Sequence, residues 1–249
     1  MTTLDKFLEA LKSMDKTMRS DNAAGHQWKY TNSKKRNKTF AAARKNKNYV
    51  TNCATGVDWG LLIAGVPPSA QSWYGAPGEI VWIGAKAQAN AKKYFTIIHI
   101  DGKKTVQQLY KDHELCEGDI LTYTNLSHTN AYLGYGKSFD SGHAYCTGSG
   151  EMAPFKKWTG NLAHKTARVE YILRLKDRNQ YRVQAGAYYK QVEADKQIAK
   201  LDRLGYKTIV RHEDGMIKLQ TGLFDGRENA ERQVKDLAKK DILAFVQVI

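Results

Sequence analysis

The sequence predicts an α+β protein with antiparallel sheets in two parts, and three observations carry that prediction. An apolar helix headed by a cysteine (NCATGVDWGLL, residues 52–62) opens one region. Short β-rich segments separated by turn residues follow it (ILTYT, HTNAYLGY, GKSF, VEYILRL). From residue 181 onward the chain repeats itself, each half reading as strand, helix, strand.

The first element is an amphipathic helix. In MTTLDKFLEALKSMDKTMRS, Leu4, Phe7, Leu8, Leu11, Met14 and Met18 recur at helical spacing with acids and lysines between them. It is expected to pack on the region that follows. The polar, basic stretch from Asn22 to Lys47 reads as a solvated connector, with a nucleic-acid patch as the other reading. Residues 1–47 are thus a helix and connector.

Residues 48–176 form the second part. Val57, Leu61 and Ala64 share a helical face, which places Cys53 at the helix start. A thiol there meets unpaired backbone N–H groups and the positive end of the helix dipole, which favour thiolate. The small residues Ala54, Thr55 and Gly56 leave room for a substrate carbonyl. The other reading of Cys53 is a small apolar residue filling space. ILTYT and HTNAYLGY read as strands joined by a turn at Asn125 to Ser127, with GKSFDS starting the next. His128 then lies at a strand start and Asp140 on the neighbouring strand, within reach of one another across an antiparallel pair. Thiolate, imidazole and an orienting carboxylate are the parts that nucleophilic acyl transfer needs.

The third part spans residues 181–249. YRVQAGAYYKQVEADKQIAKLDRLGYKTIV is echoed by MIKLQTGLFDGRENAERQVKDLAKKDILAFVQV, with Gln184, Gly186, Ala194, Ile198 and Leu201 matching Gln220, Gly222, Ala230, Val234 and Leu237 at a fixed offset of 36 residues. The order βαββαβ is the ferredoxin-like arrangement, one antiparallel sheet backed by two helices. Val192, Ile198, Leu201 and Leu204, and then Ala230, Val234, Leu237 and Ala238, mark the apolar helix faces. Alternation turns Val183, Ala185, Ile217, Leu219 and Thr221 toward the helices and leaves Arg182, Gln184, Lys218 and Gln220 on the open face, where they are candidate ligands for a sugar or nucleotide chain.

Two resemblances follow from these motifs. VQAGAY with EADKQIAKL, and LQTGLF with ENAERQVKDL, resemble the repeats of the SPOR family, which implies binding of peptidoglycan glycan strands. An RNA-recognition motif shares the topology but stacks bases on open-face aromatics. The third strand offers Met216, Lys218 and Gln220 there. NCATGVDWGL, GDILTY, HTNAYLGYGK and Asp140, closed by VEYILRL, resemble in order the NlpC-type cell-wall peptidases and the CHAP amidases. That resemblance implies a papain-like catalytic domain with Cys53 as nucleophile, His128 as base and Asp140 as orienter. Asn52 and Ala54 stand where the family carries Asp and Ser, and the upstream Y-x-W-G-G signature is absent.

Composition bounds the function classes. The 249 residues are 42% hydrophobic and 26% charged, enough to bury a core. The three cysteines are too few and odd in number for a disulfide framework. A formal charge of +14 implies a polyanionic partner, either nucleic acid or an anionic wall or membrane surface. The N-terminus lacks the basic start and apolar run of a signal peptide, and no segment has transmembrane length. The expected product is made in the cytoplasm and reaches the wall through a hole made by another protein, as a phage endolysin does; a bacterial autolysin with other export is the alternative.

The remaining candidates are read as follows. Cys116, His128, His143 and Cys146 lack the close cysteine pair of a structural zinc site, so no metal is expected. No cofactor is expected either. His143, in SFDSGH, is the rival base. His26, His99, His113, His164 and His212 have no partner pattern and read as surface or satisfied core residues. Trp59, Trp73, Trp82 and Trp158 read as core or groove wall. The combined expectation is a peptidoglycan hydrolase that cleaves an amide of the stem peptide or its link to the sugar, partnered by peptidoglycan and neither nucleic acid nor inserted membrane. The alternatives are an RNA-binding protein and a catalytically inactive wall-binding protein. Oligomeric state is left open.

Overall fold

The structure, a computed structural model, describes residues 1–30, 37–67, 85–124, 128–141 and 159–249. The chain divides into two compact units, Met1–Arg178 and Asn179–Ile249. Among the described residues no helix is long and apolar enough to cross a membrane.

The first unit begins with α1 (Thr3–Ala23). A reciprocal capping box starts it: the Asp5 N–H donates to Thr2 Oγ1 (3.2 Å) and the Thr2 N–H donates to Asp5 Oδ2 (3.0 Å). The predicted stripe of Leu4, Phe7, Leu11, Met14 and Met18 is buried. It packs on α3 (Cys53–Ile63) at a close crossing, since a Cβ on Gly60 would lie 2.6 Å from Leu11 Cδ2.

The stretch read as a solvated connector is corrected by the structure. It contains β1 (Gln27–Tyr30) and the capped helix α2 (Phe40–Lys45), and β1 pairs in parallel with β2 (Asn48–Thr51). Ala43 of α2 is fully buried. The buried Asp21 carboxylate accepts hydrogen bonds from Arg44 Nε (2.9 Å) and the Tyr49 hydroxyl, which ties α1, α2 and β2 together. Burial works against the Asp21 carboxylate, but these two partners outweigh it and hold its pKa below the usual value.

A six-stranded antiparallel sheet forms the centre of this unit. Its strands are β3 (Phe95–His99), β4 (Ile120–Tyr123), β5 (Thr129–Gly134), β6 (Lys137–Phe139), β7 (Thr159–Asn161) and β8 (Val169–Leu175), in spatial order β3-β8-β4-β5-β6-β7. The helix α4 (Ala85–Tyr94) leads into β3. Both faces are covered, so the strands alternate between two cores rather than between core and water. Ile120, Ala131, Phe139 and Leu173 join the residues of α1 and α3 on one face. Leu121, Tyr132 and Ile172 meet Val106 and Leu109 of α5 (Val106–Lys111) on the other. Asp119, just before β4, is fully buried and takes a two-point ion pair from Arg174 on β8 at 2.8 Å. Gly118 has φ +80°, and a Cβ there would lie 2.1 Å from Leu4, so the turn preceding β4 accepts α1 only as glycine.

The second unit has the order β9 (Tyr181–Tyr188), α6 (Gln191–Arg203), β10 (Ile209–Glu213), β11 (Met216–Phe224), α7 (Arg227–Ala238) and β12 (Phe245–Val248). Its sheet runs β10-β11-β9-β12 with every pair antiparallel, the predicted βαββαβ arrangement. The repeat is visible as symmetry. Gln184 pairs with Gln220, its own counterpart, and the Arg182–Leu223 pair on one side matches the Lys218–Ala187 pair on the other. Val183, Ala185, Ile217 and Leu219 pack beneath the helices with Ala194, Leu201, Ala230 and Leu237. Val192 and Leu204, read as part of the apolar face of α6, are exposed; the small Ala194 takes the central contact.

Candidate functional site

Cys53 is the first residue of α3, and Asn52 caps the helix by accepting from the Thr55 N–H (2.9 Å) and Thr55 Oγ1 (2.8 Å). Asn52 therefore performs the capping that its side chain suits. Ser141, just after β6, lies with its hydroxyl 2.8 Å from the carbonyl oxygens of both Asn52 and Cys53. One hydroxyl hydrogen is shared between two acceptors, so the backbone at the thiol is anchored to the sheet. Gly56 faces Ser141 and Phe139. The small residue read as space for a substrate serves instead to bring α3 onto β6.

His128 immediately precedes β5 and Asp140 immediately follows β6, the antiparallel neighbour of β5. Their side chains meet, with His128 Nε2 2.8 Å from Asp140 Oδ2. The Cys53 thiol is the other group that acts on the His128 imidazole. With Nε2 engaged by Asp140, the ring nitrogen left for the thiol is Nδ1. The structure thus brings Cys53, His128 and Asp140 into one chain of contacts.

The electrostatics follow from burial. Burial disfavours a charged His128, but hydrogen bonds with Asp140 and Cys53 more than offset it and push the imidazolium pKa up to about 10. Burial likewise raises Asp140, and the hydrogen bonds from His128 and His164 overcome it, taking the carboxyl down to about 2. At neutral pH the pair is carboxylate and imidazolium. Cys116 shows the opposite case. Buried and close to Asp119, its thiol is pushed up to about 12, which leaves it inert.

His164 is the residue that sequence reasoning missed. Its Nε2 lies 2.8 Å from the same Asp140 Oδ2, and its ring is 4.3 Å from that of His128. The reading of His164 as surface or satisfied core is therefore corrected to membership of this cluster. It sits in the loop between β7 and β8 with no motif around it; its place just ahead of the closing strand was the only available signal. Tyr123 packs on both imidazoles, at 5.7 Å from His128 and 5.4 Å from His164. The rival base His143, Cys146, the turn Asn125 to Ser127, and Trp73, Trp82 and Trp158 lie outside the described residues. Trp59 is a core residue.

His99 is a surface residue, one of the two readings given for it. It stacks on Tyr171 at 4.3 Å and contacts Asp101 and Glu170 on an exposed part of the sheet.

In the second unit Arg182, Gln184, Lys218 and Gln220 lie on the face away from the helices, as their alternation predicts. They are less open than the pattern implied: Gln184 is 6% and Gln220 3% exposed. Neighbours on the same face hold them, with Arg211 Nε donating to Gln220 Oε1 (3.0 Å) and both Arg182 and Lys218 approaching Glu213. Apolar groups are accessible on this face as well. Ile209 pairs with Gln220 and Phe245 with Gln184, in symmetric positions, and each is 53% exposed. Phe245 is an open-face aromatic on the last strand, which the sequence reading, confined to the third strand, did not find.

Two halves of equal pattern, paired at Gln184 and Gln220 under two helices, set the frame for comparison. Residues 156–247 match the SPOR domain family model. The chain therefore carries a SPOR domain at its C-terminal end, covering less than half of its length. Among solved structures, the SPOR domain region is similar to the solution structure of the peptidoglycan binding domain of the B. subtilis cell wall lytic enzyme CwlC, with 27% identity over 30% of this chain and 94% of that one, at a TM-score of 0.28. No curated protein matches the chain.

Proposed function

We propose that the protein is a cell-wall hydrolase in which Cys53 attacks an amide carbonyl of peptidoglycan while the SPOR domain holds the glycan strand. The observation that carries this reading is the Cys53–His128–Asp140 contact chain, with the thiol at a helix start and both partners fixed by adjacent strands. A helix-borne thiol packed on an antiparallel sheet that supplies the base is the papain-like layout that the sequence motifs imply.

The chemistry follows from the geometry. His128 Nδ1 exchanges a proton with the Cys53 sulfur, and Asp140 holds Nε2–H, which fixes the ring orientation and favours the imidazolium. The thiolate adds to the carbonyl to give a tetrahedral oxyanion. As the first residue of α3, Cys53 has an N–H with no intrahelical acceptor, so it can donate to that oxyanion. His128 protonates the departing amine, leaving a thioester. Water, deprotonated by His128, then releases the acid and frees the thiol. None of these steps requires a cofactor.

The SPOR domain supports the choice of substrate, since its family resemblance implies a glycan ligand. The chain's charge of +14 suits an anionic wall. Tethering by the SPOR domain raises the local concentration of bonds to be cut. A catalytically inactive wall-binding protein is the reading that remains if the thiol proves unreactive.

Alkylation tests the nucleophile directly. Iodoacetamide at neutral pH should modify Cys53 ahead of Cys116, and His128→Ala should slow the reaction at Cys53 alone. Equal reactivity of the two thiols, or no effect of His128→Ala, would count against the assignment.

A further inference from the structure

We propose that His128, Asp140 and His164 form a binding site for a divalent zinc-like cation, and that occupation of this site switches the thiol centre off. The binding claim stands on geometry alone, while the inhibition claim rests on the hydrolase reading.

Both imidazoles present Nε2 to the same carboxylate oxygen, each at 2.8 Å. All three ligand atoms lie within 4.8 Å of one another. Nitrogen and oxygen ligands sit roughly 2.0–2.2 Å from zinc, so two of them on one ion are separated by about 3 Å. The two Nε2–Oδ2 separations of 2.8 Å are already close to that spacing. Two imidazoles and one carboxylate are a donor set that suits zinc and its neighbours over magnesium or calcium. Asp140, immediately after β6, is fully buried and Ser141 next to it is anchored to α3, so the carboxylate is held in place rather than recruited.

The consequence for the thiol comes from the imidazole tautomer. A cation on His128 Nε2 displaces the proton that Asp140 accepts, and the neutral ring then keeps its one proton on Nδ1. On the hydrolase reading that nitrogen serves Cys53, and it can no longer take a proton from it. The imidazolium partner of the thiolate is lost as well. Cys53 is not among the three residues whose ligand atoms cluster.

Calorimetric titration of the full-length protein with zinc chloride tests the site. One zinc per chain is expected for wild type and equally for Cys53→Ala. His164→Ala should weaken binding by at least about tenfold, and His99→Ala, which breaks the exposed His99–Asp101–Glu170 cluster, should leave it unchanged. If His164→Ala does not fold, zinc should still protect His128 and His164 of the wild type, and not His99, from diethyl pyrocarbonate. No zinc uptake, loss of binding in Cys53→Ala, or loss in His99→Ala alone would overturn the site. Wall cleavage that is lost with zinc and restored by chelator supports the switch, and cleavage that requires zinc overturns it. Zinc bound at these residues in a protein that cleaves no wall retains the site and removes the hydrolase reading.

Discussion

A Cβ placed on Gly56 would fall 2.3 Å from Ser141 Oγ, closer than any real contact allows. Ser141 has little freedom to yield, because its hydroxyl is committed to the Asn52 and Cys53 carbonyls. The position of the thiol is thus set by how closely α3 approaches β6.

Gly56→Ala is expected to lift α3 from the sheet, costing about 1–3 kcal/mol of stability and lowering activity more than the fall in folded protein explains. Adding Ser141→Gly should recover part of the stability. Thermal melts of the two single variants and the double variant give the coupling; strict additivity would show that the contact does not limit the packing.

The stability of the His128–Asp140 pair should depend on pH with a defined sign. The imidazolium pKa rises from 6.5 to about 10 on folding, so its contribution is complete below pH 6.5 and is lost as pH climbs toward 10. The carboxyl falls from 3.8 to about 2, so its contribution is complete above pH 3.8 and is lost as pH drops toward 2. The stability difference between wild type and His128→Gln is therefore expected to be flat from about pH 4 to 6.5 and to shrink on both sides. A difference that grows between pH 7 and 10 would reverse the assigned direction.

Leu11→Ala tests whether α1 is structural. Leu11 is fully buried between α1 and α3, where such truncations cost about 2–5 kcal/mol. Urea unfolding should show that loss in the transition of the first unit. A midpoint equal to that of wild type would mean that α1 is dispensable.

Phe245→Ala addresses the glycan face. Exposure of the ring predicts a stability change within about 0.5 kcal/mol. Loss of a stacking surface predicts roughly threefold to tenfold weaker pelleting with purified walls, measured on a Cys53→Ala background so that no wall is consumed. Unchanged pelleting would move the contact away from this end of the sheet.

Legibility differed between the two units for physical reasons. The SPOR domain repeats itself, so matched glutamines and glycines revealed its topology; the structure adds that Gln184 pairs with Gln220. Side-chain exposure was not read, although the two-residue Asp214-Gly215 turn fixes the register of β10 on β11 and so places Arg211 opposite Lys218. In the first unit, Cys53, His128 and Asp140 stood out through the order of their motifs. Strand β3 did not: Asp101-Gly102 marks a turn just after it, but FTIIH belongs to no motif and joins the sheet through distant β8. The parallel pairing of β1 and β2 was hidden by the polar chain between them. His164 reaches Asp140 only through tertiary folding, which spacing along the chain does not encode.

The measurement that tests the central claim most directly is the clearing of purified bacterial cell walls by wild type and by Cys53→Ala, with the released fragments read by mass spectrometry. Wild type alone should clear the suspension, and the fragments should carry new amide-derived termini while the glycan remains uncut. Equal clearing by both proteins, or none by either on walls from several bacteria, would contradict a thiol hydrolase and leave a wall-binding protein.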